Sequence, residues 1–274
     1  MNETTVSSTS RSSRRMAPVT RSRSERLTRP EIIPICEPLL CCDEVWESAY
    51  LRFETPREEI NKFNRGTSVK IRGRDGILIE GTTKLLGDYN LDNLLMAVAI
   101  AVISGIDPIE IGSNLQHYVG APGRVEQIEI GQDFMAFVDY AHTPDAVINV
   151  LKNARQFTTG KLIAVLGCGG DRDKNKRPLM GQALTLADYP IFTSDNPRSE
   201  DPGQILKEMT DGIRHNGEVI SDRRSAIARA VELANAGDVI AILGKGHETG
   251  QEIKGEKFPF DDRKELMNAI AGRK

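Results

Sequence analysis

Residues 162–202 read LIAVLGCGGDRDKNKRPLMGQALTLADYPIFTSDNPRSEDP, and the fold turns on how this stretch divides. Leu162–Gly167 is an unbroken apolar run that ends in glycines, and Pro190–Ser194 is a second such run. Between them, Pro178–Ala187 has the spacing of an amphipathic helix. Short, continuously apolar strands are buried on both faces, as in a parallel sheet covered by helices. Working outward, the same alternation predicts strands at Phe134–Asp139, Glu218–Ile220 and Val239–Leu243. It predicts helices at Pro144–Gln156, Gly203–Ile213, Arg223–Ala236 and Asp262–Ala271. Residues 122–274 are therefore expected to form an α/β domain with a mostly parallel, Rossmann-like sheet. Ligands in such a sheet sit beyond the carboxyl ends of the strands.

The chain before residue 122 is less regular. Residues 1–30 are rich in Ser, Thr and Arg, with Val6, Met16, Val19 and Leu27 as their large apolar residues. So little apolar surface does not offset chain entropy, and a disordered tail is expected. Arg and Ser would also suit a transit peptide, but a simple tail is the plainer reading. Glu31–Cys42 is apolar but carries Pro34 and Pro38, which argue against a helix. Ser68–Glu80 alternates around Asp75-Gly76, the pattern of a β-hairpin. A helix is expected from Leu91 to Ser104 with Gly105 as its left-handed cap, and another after Asp107-Pro108.

Bulk properties exclude several classes. The 274 residues are 39% apolar and carry a net charge of −3, so no basic field argues for nucleic acid. No apolar run approaches the ~20 residues that span a bilayer, so no membrane association is expected. Three of the four cysteines, Cys36, Cys41 and Cys42, crowd together, with Cys168 far away. This suits a reducing cytoplasm better than a disulfide framework, and no ligand pair stands at zinc spacing, so no metal site is expected.

Chemistry gathers in the turns after the strands. They are Asp139 to Asp145, Gly167 to Pro178, Thr193 to Pro202, and Gly244 to Glu248. Arg177 and Arg198 offer planar forks suited to carboxylates, while Asp195 and Glu248 can hold an ammonium. Taken singly, each has a plainer reading as a solvated surface charge or a helix cap. Four charged turns at strand ends, two of them bearing glycines, together predict a site for a zwitterion.

Several runs resemble the Mur ligases, in the branch that adds diaminopimelate. They are Gly87 to Asn93, Pro122 to Glu126, Asp139 to Asp145, Gly167 to Met180, Asp195-Asn196-Pro197-Arg198, Asp222 to Arg224, Gly244 to Glu248 and Pro259 to Arg263. They occur in family order over roughly two-thirds of the chain. The resemblance implies a carboxy-terminal amino-acid-binding domain at 122–274 and, at 31–121, a partial, helical remnant of the central ATP domain. It implies that Arg177, Asp195, Asn196, Pro197, Arg198, Gly244 and Glu248 bind meso-diaminopimelate. It also implies that Asn90, Asn93, Arg124, Asp139 and His142 face ATP, although the Asn pair alone reads equally as helix capping. The implied reaction joins the amino acid to UDP-N-acetylmuramoyl-L-alanyl-D-glutamate, using ATP with Mg²⁺. Diaminopimelate differs from lysine by a distal carboxylate, and an arginine left unpaired by lysine would cost about 3–5 kcal/mol.

One family feature is missing. Gly160-Lys161 and Gly244-Lys245 lack both the earlier glycine and the following Ser/Thr of a phosphate-binding loop. The uridine-nucleotide domain and the central metal-binding residues are unmatched too, and no catalytic residue is assigned. A truncated or split ligase is therefore expected, with weak amino-acid binding and poor turnover on its own. The alternatives are a non-catalytic diaminopimelate-binding module, or one half that assembles with a separate chain bearing the loop; exposed apolar surface around Glu31–Leu51 or on the Leu94 helix would favour assembly. A nicotinamide enzyme is disfavoured because Arg172 stands where a third glycine would be needed.

Overall fold

The computed structural model describes residues 53–54, 61–63, 66–73, 76 and 78–273. The expectations for the tail, for Glu31–Cys42 and for Cys36, Cys41 and Cys42 lie outside these residues.

The first described part is a small antiparallel sheet. Strands β1 (Phe53–Glu54), β2 (Asn61–Phe63) and β4 (Leu78–Thr83) each pair with β3 (Gly66–Gly73). The β3–β4 hairpin matches the expected alternation, with Val69, Ile71 and Ile79 turned inward and Gly76 at φ 87°. Helices α1 (Asp88–Ile103) and α2 (Pro108–Asn114) close over it. The helix stop and start signals act as read: Gly105 has φ 87°, and the Asp107 carboxylate accepts the Ile109 N–H at 2.7 Å. Leu94, Val98 and Ala99 of α1 are buried in this core, whereas Ile100, Ile103, Ile106 and Ile109 are exposed.

The larger sheet contains β5 (Glu126–Gln127), β6 (Met135–Asp139), β7 (Leu162–Cys168), β8 (Tyr189–Ser194), β9 (Glu218–Val219) and β10 (Val239–Leu243). Their spatial order is β5-β6-β10-β7-β8-β9, parallel except for β5. Every residue of β7 and β10 is buried, as their continuous apolar runs require. The pleat sends Leu162, Ala164 and Leu166 to one face and Ile163 and Val165 to the other. The first face is covered by α3 (Pro144–Phe157), α4 (Lys176–Leu184) and α5 (Pro202–Thr210). The second is covered by α6 (Arg223–Leu233) and α7 (Asp262–Gly272).

Polar residues start most of these helices. Thr143, Asp201, Asp222 and Asp261 each accept a first-turn N–H, so strand ends pass directly into capped helices. Helix α4 begins two residues before the expected Pro178, because a proline in the first turn gives up no intrahelical bond. A hairpin of β11 (Gly250–Ile253) and β12 (Glu256–Pro259) turns at Lys254-Gly255, both at positive φ. No helix among the described residues is long and apolar enough to cross a membrane.

Candidate functional site

The strand order decides where the charged turns meet. Because β10 lies between β6 and β7, its following loop stands between the turn after β6 and the turns after β7 and β8. That loop, Gly244 to Glu248, is the shared wall of two polar regions.

On one side lies the run from Asp195 to Arg198. The side chain of Lys245 is fully buried, and its ammonium reaches Asn196 Oδ1 and Glu248 Oε2 at 3.0 Å each and Asp195 Oδ1 at 3.6 Å. Asn196 in turn donates Nδ2 to Glu248 Oε2 at 3.1 Å. Burial pushes the Glu248 carboxyl up, but Lys245, Asn196 and Arg198 together hold the group below the ordinary glutamate range. Burial raises Asp195 against the nearby Arg223 and Lys245 charges. Gly244 has φ 109°, and a Cβ there would lie 2.9 Å from Asp195 Oδ2, so glycine lets the two loops close on each other.

Arg198 sits at φ 50°, a left-handed position. Its Nη1 donates to Gly170 O at 2.7 Å and its Nε pairs with Glu252 Oε2 at 3.3 Å. Gly170 also donates its N–H to Asn196 O, and any side chain at Gly170 would run into the Pro197 carbonyl. The hairpin holds the other edge. Gln251 Nε2 donates to Asp195 O at 2.6 Å, and the Glu252 N–H donates to Asn196 Oδ1 at 3.0 Å. Arg198 exchanges two backbone bonds with β11 and its turn, N to Glu252 O and O from the Lys254 N–H. Next to this run is a cavity of about 430 Å³ lined by Asn196, His247, Glu248, Thr249, Gly250, Glu252 and Lys257.

Arg177 requires a correction. Its side chain is 1% exposed, and its fork is already filled by both oxygens of Glu200, by Glu208 and by Gly169 O. It therefore offers no free fork to a substrate carboxylate. Instead it latches α4 to the turn after β8 and to α5. The exposed arginine of the same turn is Arg172, whose stem lies with Arg198 within 4 Å of where a Gly169 side chain would begin. The latch should leave a pH signature. Hydrogen bonds from Arg177 and from the Asp171 N–H hold the Glu200 carboxyl down at about 2. A carboxyl lowered on folding contributes stability above its unfolded value, near 4.5, that is lost as pH falls toward 2. Wild type should therefore melt above Glu200→Gln at pH 6, with the gap closing below about pH 3, as thermal denaturation across pH would check.

The second region follows β6. Asp139 is buried, its oxygens accepting the N–H groups of Val125 at 2.8 Å and Ala141 at 2.7 Å. Burial raises its carboxyl despite these bonds. It thereby fixes the Gly123–Glu126 loop, where Val125 is held at φ 43°. That loop presents exposed Arg124, whose guanidinium lies 5.2 Å from the Tyr140 ring centre. His142 Nδ1 lies 2.8 Å from Tyr140 O, and the Tyr140 ring lies tilted against the rings of His142 and His247, with centroids 4.6 and 5.5 Å away. Asn90 and Asn93 differ in their surroundings. Asn90 is buried and donates Nδ2 to Leu86 O at 2.9 Å, whereas Asn93 is exposed.

The structure thus brings Asp195, Asn196, Pro197, Arg198, Gly244 and Glu248 into one cluster, and Arg124, Asp139 and His142 into a neighbouring one. Lys245 is not among the site residues that the sequence singles out; a lysine just past the end of a fully apolar strand is the signal that points to it.

Known proteins match this arrangement. The profile of the Mur ligase, glutamate ligase domain, covers residues 123–246. A UDP-N-acetylmuramoyl-L-alanyl-D-glutamate–2,6-diaminopimelate ligase from Aquifex aeolicus is 47% identical over 211 residues, 76% of this chain and 43% of that protein. The enzyme of the same name from Bacillus cereus is 48% identical over 194 residues, 70% of this chain and 40% of its own length. A solved structure of a ligase of that name superposes with a TM-score of 0.65 at 41% identity, covering 81% of this chain and 46% of that one. The chain spans less than half the length of these curated relatives. With fold, strand-end turns and sequence in agreement, residues 123–246 match the Mur ligase, glutamate ligase domain, and the chain is similar to ligases of that family over 70–76% of its length.

Proposed function

We propose that this chain binds meso-diaminopimelate as the amino-acid-binding part of a cytoplasmic, ATP-dependent amide ligase of peptidoglycan synthesis. The acceptor in this reading is UDP-N-acetylmuramoyl-L-alanyl-D-glutamate. The observation that carries it is the meeting of Asn196 and an ionised Glu248 on one cavity of about 430 Å³ with Glu252, which pairs with Arg198. Glu248 is suited to hold an ammonium and Arg198 the distal carboxylate, with Arg172 an exposed cation of the neighbouring turn. Asp195, Pro197 and Gly244 shape this surface. ¹H–¹⁵N NMR titration of the chain should show meso-diaminopimelate binding more tightly than L-lysine, with the shifts centred on Asn196 and Glu248. Equal affinity for the two amino acids would sink the assignment.

The nucleotide side fits in part. Arg124, held over Tyr140 beside His142, suits the rim of an ATP site, with Asp139 as the carboxylate that positions it. When bound, ATP would supply the phosphoryl group that activates the acceptor carboxylate for attack by the amine, and phosphate would leave as the amide forms. This chain's contribution in that scheme is to orient the amine-bearing substrate and to present Arg124 toward phosphate charge. No Gly-Lys-Ser/Thr loop occurs in the sequence. Among the described residues no cluster of His, Cys, Asp and Glu suits a metal ion, so no step is assigned to Mg²⁺.

A further inference from the structure

Arg198 does not wait unpaired for its ligand. Its Nε faces Glu252 Oε2 at 3.3 Å, and Glu252 lines the same cavity as Asn196 and Glu248. The Glu252 main chain is committed elsewhere, its N–H to Asn196 Oδ1 and its carbonyl to the Arg198 N–H. The residue is thus clamped beside Arg198 by its backbone, while its carboxylate, with the side chain 45% exposed, can rotate away. We propose that Glu252 is a specificity-determining residue, a resident carboxylate that occupies Arg198 until the ligand's distal carboxylate displaces it.

This rests on the diaminopimelate reading and changes its energetics. A ligand without a distal carboxylate leaves Arg198 paired with Glu252, so the penalty for an orphaned guanidinium is not incurred in full. A distal ammonium, which both amino acids carry, can meet Glu252 in either case and does not discriminate. The pairing of Arg198 with Glu252 therefore narrows the preference for meso-diaminopimelate. Removing the charge while keeping the backbone clamp should widen it.

The test is NMR titration of the full chain with meso-diaminopimelate and with L-lysine. The variants are wild type, Glu252→Gln, Glu252→Ala, Arg198→Ala and the Arg198→Ala/Glu252→Gln pair. Glu252→Gln is expected to tighten meso-diaminopimelate binding by about two- to fivefold, the range an exposed ion pair supports, without strengthening lysine. Glu252→Ala should move in the same direction, and the gain should vanish once Arg198 is gone. Unchanged or weaker binding in both Glu252 variants, or the same gain without Arg198, overturns the proposal. If wild type still prefers meso-diaminopimelate, the reading of the site survives that result. No preference in wild type overturns both.

Discussion

Arg198→Ala is expected to lose roughly 10- to 150-fold in affinity for meso-diaminopimelate while leaving lysine binding within about twofold of wild type. The size follows from what surrounds the guanidinium. A fully buried arginine deprived of its partner would set the discrimination at about 3–5 kcal/mol. Arg198 is not in that position, because its side chain is 23% exposed and already paired with Glu252. What the distal carboxylate adds is a charge-assisted interaction in exchange for the Glu252 pair, worth about 1.5–3 kcal/mol. The backbone of the turn should survive the substitution, since Asn196, Gly170 and β11 hold it through main-chain and amide bonds. Titration with both amino acids separates the outcomes. A parallel loss for meso-diaminopimelate and lysine would mean that the turn, rather than one contact, had failed.

The same comparison shows which parts of this site can be read from residues alone. Strands β6, β7, β8 and β10 were legible because a strand buried on both faces must be continuously apolar, and few other segments are. The carboxyl-end turns followed from that sheet. The β11–β12 hairpin was not legible: Gln251 to Lys257 is almost wholly polar, and Ile253 alone gives no period. Its pairing is fixed by the left-handed Lys254-Gly255 turn and by bonds to the Asp195–Arg198 run, which are tertiary facts. Arg177 failed for a related reason. A guanidinium two residues into a helix looks available in sequence, but Glu200 and Glu208, 23 and 31 residues later, arrive beside it only when β8 and α5 are in place. Asp195 to Arg198 follow β8 directly and Glu248 stands in the loop after β10, so their nearness to one another follows from the sheet.

The Asp222 to Arg224 and Pro259 to Arg263 runs belong to the same lesson, because their chemistry serves the fold. Arg223 and Asp262 form an ion pair with both side chains fully buried, Nε to Oδ1 at 2.8 Å and Nη2 to Oδ2 at 2.7 Å. Arg223 also donates to Leu243 O at 2.8 Å and to Ser194 O at 3.4 Å. Those carbonyls end β10 and β8, the strands whose following loops carry Glu248 and Arg198. One guanidinium therefore pins together the two loops that share the cavity. Asp262→Ala should cost about 3–5 kcal/mol, because it strands a charge with no route to water. For a domain of this size that corresponds to a fall of roughly 6–20 °C in Tm. Replacing both partners, Arg223→Met with Asp262→Leu, should recover a large part of that loss, since an apolar pair needs no solvation. The recovered protein should nevertheless bind meso-diaminopimelate less tightly, because the β8 and β10 ends have lost their common donor. Calorimetric melting and ligand titration on wild type and the two variants would check both halves. If the double variant matched wild type in binding, Arg223 would serve stability alone and the site would owe its geometry to Lys245 and the hairpin.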